Sequence, residues 1–202
     1  MAGGKQTEIT VLFIFLNLLL LNGACTSSKT TDSLYYTTNP IQSGDIILRK
    51  SYGLVSEIVV AQLADTLDIS HCGIIVRDTG NVFRVIHSLS KKVSEVDGVQ
   101  ICDLEDFMNN SRIETVKLVR FRNSPNKIAE SAVGYLKRKV PFDEQFNSND
   151  TTALFCSELP IQIIRTIYGI DISNGDAKPK FSIFLNENYF DEIPFVKCIK
   201  SK

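Results

Sequence analysis

The hydrophobic and polar positions of this chain fall into two regimes. Near the N-terminus a continuous apolar run, ITVLFIFLNLLLL, stands behind Lys5 and ends at Asn22-Gly23-Ala24-Cys25. A bilayer span takes about 20 apolar residues, so this run has the length of a signal-peptide core instead. Residues 1–24 are therefore read as an export signal. The next segment, 25–41, is rich in Ser and Thr as far as Asn39-Pro40 and is too polar to bury a core of its own, so it reads as a tether. From residue 42 to 202 the pattern becomes periodic, and one folded domain is expected there.

Within that domain Ser43-Gly44-Asp45 is a turn signal leading into Ile46-Ile47-Leu48, a buried strand. Leu54, Val55, Ile58, Val59 and Leu63 recur at helical spacing and predict a helix over 53–67. Two β-type runs, His71 to Val76 and Val82 to Ile86, are joined by Asp78-Thr79-Gly80-Asn81, a hairpin signal. A short helix near Leu104 to Met108 and a strand over Glu114 to Phe121 follow. Ser124-Pro125 reads as a capped helix start, with Ile128, Ala132, Val133, Leu136 and Val140 along its apolar face. After a polar, irregular stretch at 143–152, Leu159, Ile163, Ile164 and Ile167 form the stripe of a last helix that Gly169 ends. Pro160 is tolerated only in a first helical turn, which confines the start to a few residues before it and puts Cys156 at the N-terminus.

Composition narrows the partners. The formal net charge is −1, with Lys and Arg scattered, so no basic footprint for nucleic acid exists. No two of the five cysteines, at 25, 72, 102, 156 and 198, have CxxC spacing, which argues against a zinc knuckle or a thioredoxin-type motif. No cofactor or metal is expected. Cys72, Cys102 and Cys198 lie on apolar runs and read as core residues, with any disulfide among them left open. Gly23 and Ala24 directly before Cys25, then Thr26-Ser27-Ser28, resemble the lipobox and tether of a bacterial lipoprotein. That resemblance implies lipidation at Cys25, export, and anchoring to the envelope membrane.

A cysteine at a helix N-terminus meets unpaired N–H groups and the positive end of the helix dipole, which favour the reactive thiolate and can receive an oxyanion. A base is needed, and the chain has only His71 and His87 to offer. Nucleophilic chemistry wants Cys156 within hydrogen-bond reach of one imidazole, with a polar third group holding the other ring nitrogen.

GDIIL at Gly44 to Leu48, SHCGIIV at Ser70 to Val76 and FCSEL at Phe155 to Leu159 occur in that order. Together they resemble the permuted papain-like amidases of the YaeF/YiiX group, relatives of the NlpC-type cell-wall peptidases and of lecithin:retinol acyltransferase-like enzymes. The resemblance implies an α+β fold of circularly permuted NlpC type, with a small, mostly antiparallel sheet and the nucleophile at a helix N-terminus. It gives Cys156 the role of nucleophile and His71 that of base. His87 stands where relatives often carry Glu and is assigned the orienting role, with Ser88 or Glu95 as the alternatives. Glu158 is read as structural. The implied activity is cleavage of an amide, in a peptidoglycan peptide or another N-acyl envelope compound, through an acyl-enzyme. Two rivals stand beside it: a lipid-directed acyltransferase or thioesterase, and a non-catalytic envelope-binding lipoprotein.

Overall fold

The computed structural model describes residues 33–37, 40–148 and 150–199. The signal peptide over 1–24, Cys25 and most of the tether lie outside the described residues. By its internal contacts the chain divides at Ser33 and Leu34, and everything below concerns the unit that begins there. No helix among the described residues is long and apolar enough to cross a membrane.

The fold is α+β. Its main sheet has six strands in the order β5-β4-β3-β2-β6-β7: β2 (Ile46–Arg49), β3 (His71–Arg77), β4 (Phe83–Leu89), β5 (Gly98–Asp103), β6 (Lys117–Phe121) and β7 (Phe190–Ile193). Every neighbouring pair is antiparallel. A separate two-stranded sheet joins β1 (Ser33–Thr37) to β8 (Phe195–Ile199).

Side chains alternate across a strand, so the sheet presents two apolar faces. Ile46, Leu48, Cys72, Ile74, Val76, Ile86 and Phe121 face the larger core. That core is closed by α3 (Pro125–Arg138) and α4 (Glu158–Tyr168) through Ile128, Ala132, Leu159, Ile163 and Ile164. Ile47, Ile75, Val85 and Leu118 face the other way, against Phe107 and Met108 of α2 (Leu104–Asn109). Because both faces of β2 and β3 are covered, these strands are continuously apolar and do not show the alternation of a one-sided antiparallel sheet.

Gly44 has φ +94, and a Cβ there would fall 1.8 Å from the carbonyl oxygen of Pro125. The glycine of GDIIL thus lets the turn before β2 pass under the start of α3. Its neighbour Asp45 is fully buried and receives a forked pair of bonds from Arg120, at 2.7 and 2.9 Å, plus the Gln42 N–H at 2.8 Å. That aspartate is a structural clamp between β2 and β6.

Several elements differ from the sequence expectation. The first helix, α1 (Leu54–Leu63), is shorter than 53–67. It stops because Ala64 turns left-handed and Asp65 takes the N–H groups of Thr66 and Ser182. Ser124 is left-handed and makes no side-chain cap, although Pro125 does open α3. The Ser124 carbonyl instead accepts from Tyr168 Oη at 2.9 Å. β1 falls inside the segment read as tether, and β5, β7 and β8 are additional strands.

Candidate active site

His71 is the first residue of β3, and the sequence around it explains where its ring goes. Gly73 lies two residues on, on the same face, and a Cβ there would stand 2.3 Å from Val85 Cγ1 and 3.2 Å from His87 Cβ. The missing side chain leaves the space that β4 uses to bring His87 alongside. His71 Nε2 and His87 Nδ1 are 2.8 Å apart, one ring donating its N–H and the other accepting. The rings meet edge to face, and His71 stacks on Phe107 at 5.7 Å and 29°.

Arg49 pairs with His71 across β2 and β3 and points to the same face. Its guanidinium lies 3.9 Å from the centre of the Phe107 ring, and Nη1 donates to the Phe107 carbonyl. Three basic side chains are thus buried together: Arg49 is 6% exposed and each imidazole 4%. Burial, then the Arg49 charge, then His87, hold His71 well below the usual imidazole range. Burial and Arg49 bring His87 down to about 3. Both rings are neutral near pH 7, and burial likewise lowers Arg49 to about 10.

Cys156 directly precedes Ser157, the N-cap of α4, and Pro160 is the third helical residue, where its missing N–H deprives no acceptor. Two tethers fix the segment that carries it. Ser88 Oγ donates to the Leu154 carbonyl at 2.6 Å, and the Glu158 carboxylate accepts the Phe155 N–H at 3.0 Å. Burial raises the Glu158 carboxyl to about 7. The Cys156 thiol is held below its ordinary value, first by the neighbouring Cys72 thiol and, against burial, by N–H groups of the turn, that of Ser157 among them. Cys72 is pushed well up by burial and stays protonated, its Sγ donating to the Cys156 carbonyl at 3.2 Å.

The site residues therefore form two groups. His71 and His87 are together, while Cys156 sits against Cys72, which points to the opposite face of β3. The described hydrogen bonds include none between Cys156 and His71, so the expected direct thiol–imidazole contact is not the arrangement seen. Of the alternatives to His87, Ser88 points to the larger core and holds Leu154, and Glu95 is exposed. Cys72 and Cys102 carry no disulfide, and the Cys198 side chain lies outside the described residues. Arg49 and Phe107 were not singled out in the sequence. The signal for Arg49 was its parity with Ile47 on a strand whose both faces are apolar, which forces the side chain inward.

Comparison with solved structures gives a match over 79% of this chain and 97% of the other, with TM-score 0.52 and 19% identity, to the metalloprotein YiiX from Escherichia coli O157:H7. This chain has a YiiX-like fold. No protein-family model and no curated protein matches it. The word metalloprotein belongs to that relative. Among the described residues no three His, Cys, Asp or Glu side chains are grouped as a metal site requires.

Proposed function

We propose that this chain is a cysteine hydrolase of the permuted papain-like, NlpC-type superfamily that cleaves an amide of a small peptide or N-acyl compound of the cell envelope. The observation that carries the reading is the bond between two buried, neutral imidazoles, His71 and His87, where the next strand residue, Cys72, touches Cys156, whose thiol is held below its ordinary value. In this reading the Cys156 thiol gives its proton to His71. The thiolate attacks the acyl carbon, and N–H groups at the start of α4 receive the oxyanion. The leaving amine departs with the proton from His71, and water then releases the acyl group. His87 fixes the ring of His71 through its other nitrogen. Cys25 anchors the domain to the envelope membrane as a lipidated N-terminus.

The test is the acyl-enzyme itself. Incubation with a series of N-acyl and peptidyl p-nitroanilides, followed by intact-mass and peptide mapping, should find an acyl group on Cys156, and none in Cys156→Ser. Release of nitroaniline without any adduct on Cys156 would refute the mechanism.

A second reading is favoured by one observation, the engagement of Cys156 with Cys72 on the face of β3 away from His71. In that reading the chain is an envelope-binding lipoprotein that keeps the fold, and no adduct or turnover would be seen with any of these amides.

A further inference from the structure

The protein treats its buried cations in two ways. Lys50 is 5% exposed and is paired with Asp68 at 2.7 Å and Glu57 at 2.9 Å. Arg120 is forked onto the buried Asp45. Arg49, next to Lys50 in sequence, is equally buried, and among the described residues no carboxylate pairs with it. Its Nε is buried without a hydrogen-bond partner, and its one bond goes to the Phe107 carbonyl. Guanidinium cannot shed its proton at working pH, and an unpaired buried charge costs several kcal/mol. The bond to the Phe107 carbonyl and the stacking on its ring use one edge and one face of the guanidinium and leave the Nε edge without a partner.

We propose that Arg49 is the receptor for a carboxylate of the substrate, taken by the guanidinium edge that carries the free Nε. Planar carboxylate and guanidinium fit as a fork, and the stacking on Phe107 holds that plane fixed. This rests on His71 being the base of the site, and it adds a consequence. Arg49 is one of the charges that hold His71 neutral, so a bound carboxylate cancels its effect and strengthens the base only when substrate is present. The substrate class is then an acyl compound with a free carboxylate close to the scissile amide.

The test is binding, read without turnover. Thermal unfolding of full-length Cys156→Ser protein is followed against sodium acetate, inorganic phosphate and sodium chloride at matched ionic strength. Acetate should raise the midpoint saturably above chloride. Arg49→Gln should be folded, since it removes an unpaired buried charge, and should lose the acetate effect. Arg49→Lys should keep it with affinity weaker by about tenfold, the loss of one charge-assisted bond. If Arg49→Gln does not fold, the His71 ring resonances of the Cys156→Ser protein in a histidine NMR titration give the same answer: they should move saturably with acetate. An unchanged acetate effect in Arg49→Gln, no effect of acetate beyond chloride, or an effect of phosphate alone would each overturn the carboxylate assignment. Because nucleophile and turnover play no part, failure here leaves the acyl-enzyme reading standing, whereas absence of an adduct with acetate still bound would leave the carboxylate site standing and remove only its link to catalysis.

Discussion

The two faces of β3 solve the same problem, burying reactive groups, by opposite means. On one face His71, His87 and Arg49 are held by each other and by the Phe107 ring, and burial drives both imidazoles to the neutral form. On the other face Cys156 packs, half-buried, against the apolar core, yet its thiol is lowered because the Cys72 thiol and backbone N–H groups lie beside it. The same burial lowers a base and raises an acid, so only local donors can make the cysteine the more acidic group. The difference teaches that the Cys72 side lowers the thiol from its ordinary value, while the proposed acceptor of its proton, His71, stands on the other face. In the proposed mechanism the histidine face adds a base whose ring is held by the His71–His87 bond.

The largest effect expected from breaking this division is on turnover. His87→Ala leaves thiol and base in place but frees the His71 ring, and kcat should fall by about 10 to 10³, less than the roughly 10⁴ seen when an orienting carboxylate is altered. KM should change little, as measured with whichever p-nitroanilide is cleaved. His87→Glu should be at least as active as wild type, because a carboxylate there stabilises a charged His71 and offsets Arg49.

Gly73→Ala strikes the seam between the two histidine strands. The new Cβ meets Val85 Cγ1 at 2.3 Å and His87 Cβ at 3.2 Å, both on a packed strand. Overpacking of this kind costs about 1 to 3 kcal/mol. Denaturant titration should find the unfolding free energy lowered by that amount, and the folded fraction should have lost activity as His87 is displaced.

Much of this seam was legible in the sequence. The strands around His71 and Val85, the hairpin between them and the start of the last helix near Pro160 all came from periodicity and turn residues, because they have strong local signals. The nearness of His71 and His87 followed from their place on adjacent strands. Side-chain parity put Cys72 opposite to His71. What parity alone did not reveal is that Cys156 would pack on the Cys72 side, since that depends on how α4 crosses the sheet. β5 was missed because it lies at a sheet edge where burial fades, with Val99 buried and Ile101 39% exposed. Ser124 failed as a cap because tertiary demand set its backbone left-handed.

A smaller effect concerns the tether of the cysteine segment. Glu158 titrates at about 7 in the folded chain against an ordinary 4.5, so the folded state binds more protons between those values and stability falls as pH rises through them. Glu158→Gln keeps an acceptor for the Phe155 N–H but has no proton to lose. It should match wild type below pH 4.5 and exceed it by about 1 kcal/mol above pH 7, a value discounted for solvent screening. Equal slopes of stability against pH for the two proteins would remove the cause assigned to burial of this carboxyl.

The central claim, that Cys156 is an activated thiol served by His71, is tested most directly by the rate of alkylation with iodoacetamide from pH 5 to 9, mapped by peptide mass in wild type and His71→Ala. The account predicts that Cys156 in wild type reacts well below the free-thiol pKa of about 8.5, still measurably near pH 6, while buried Cys72 stays unmodified. In His71→Ala the rate at Cys156 near pH 7 should drop by about tenfold or more. A Cys156 profile that rises only near the free-thiol value, or one that is the same in both proteins, would contradict it.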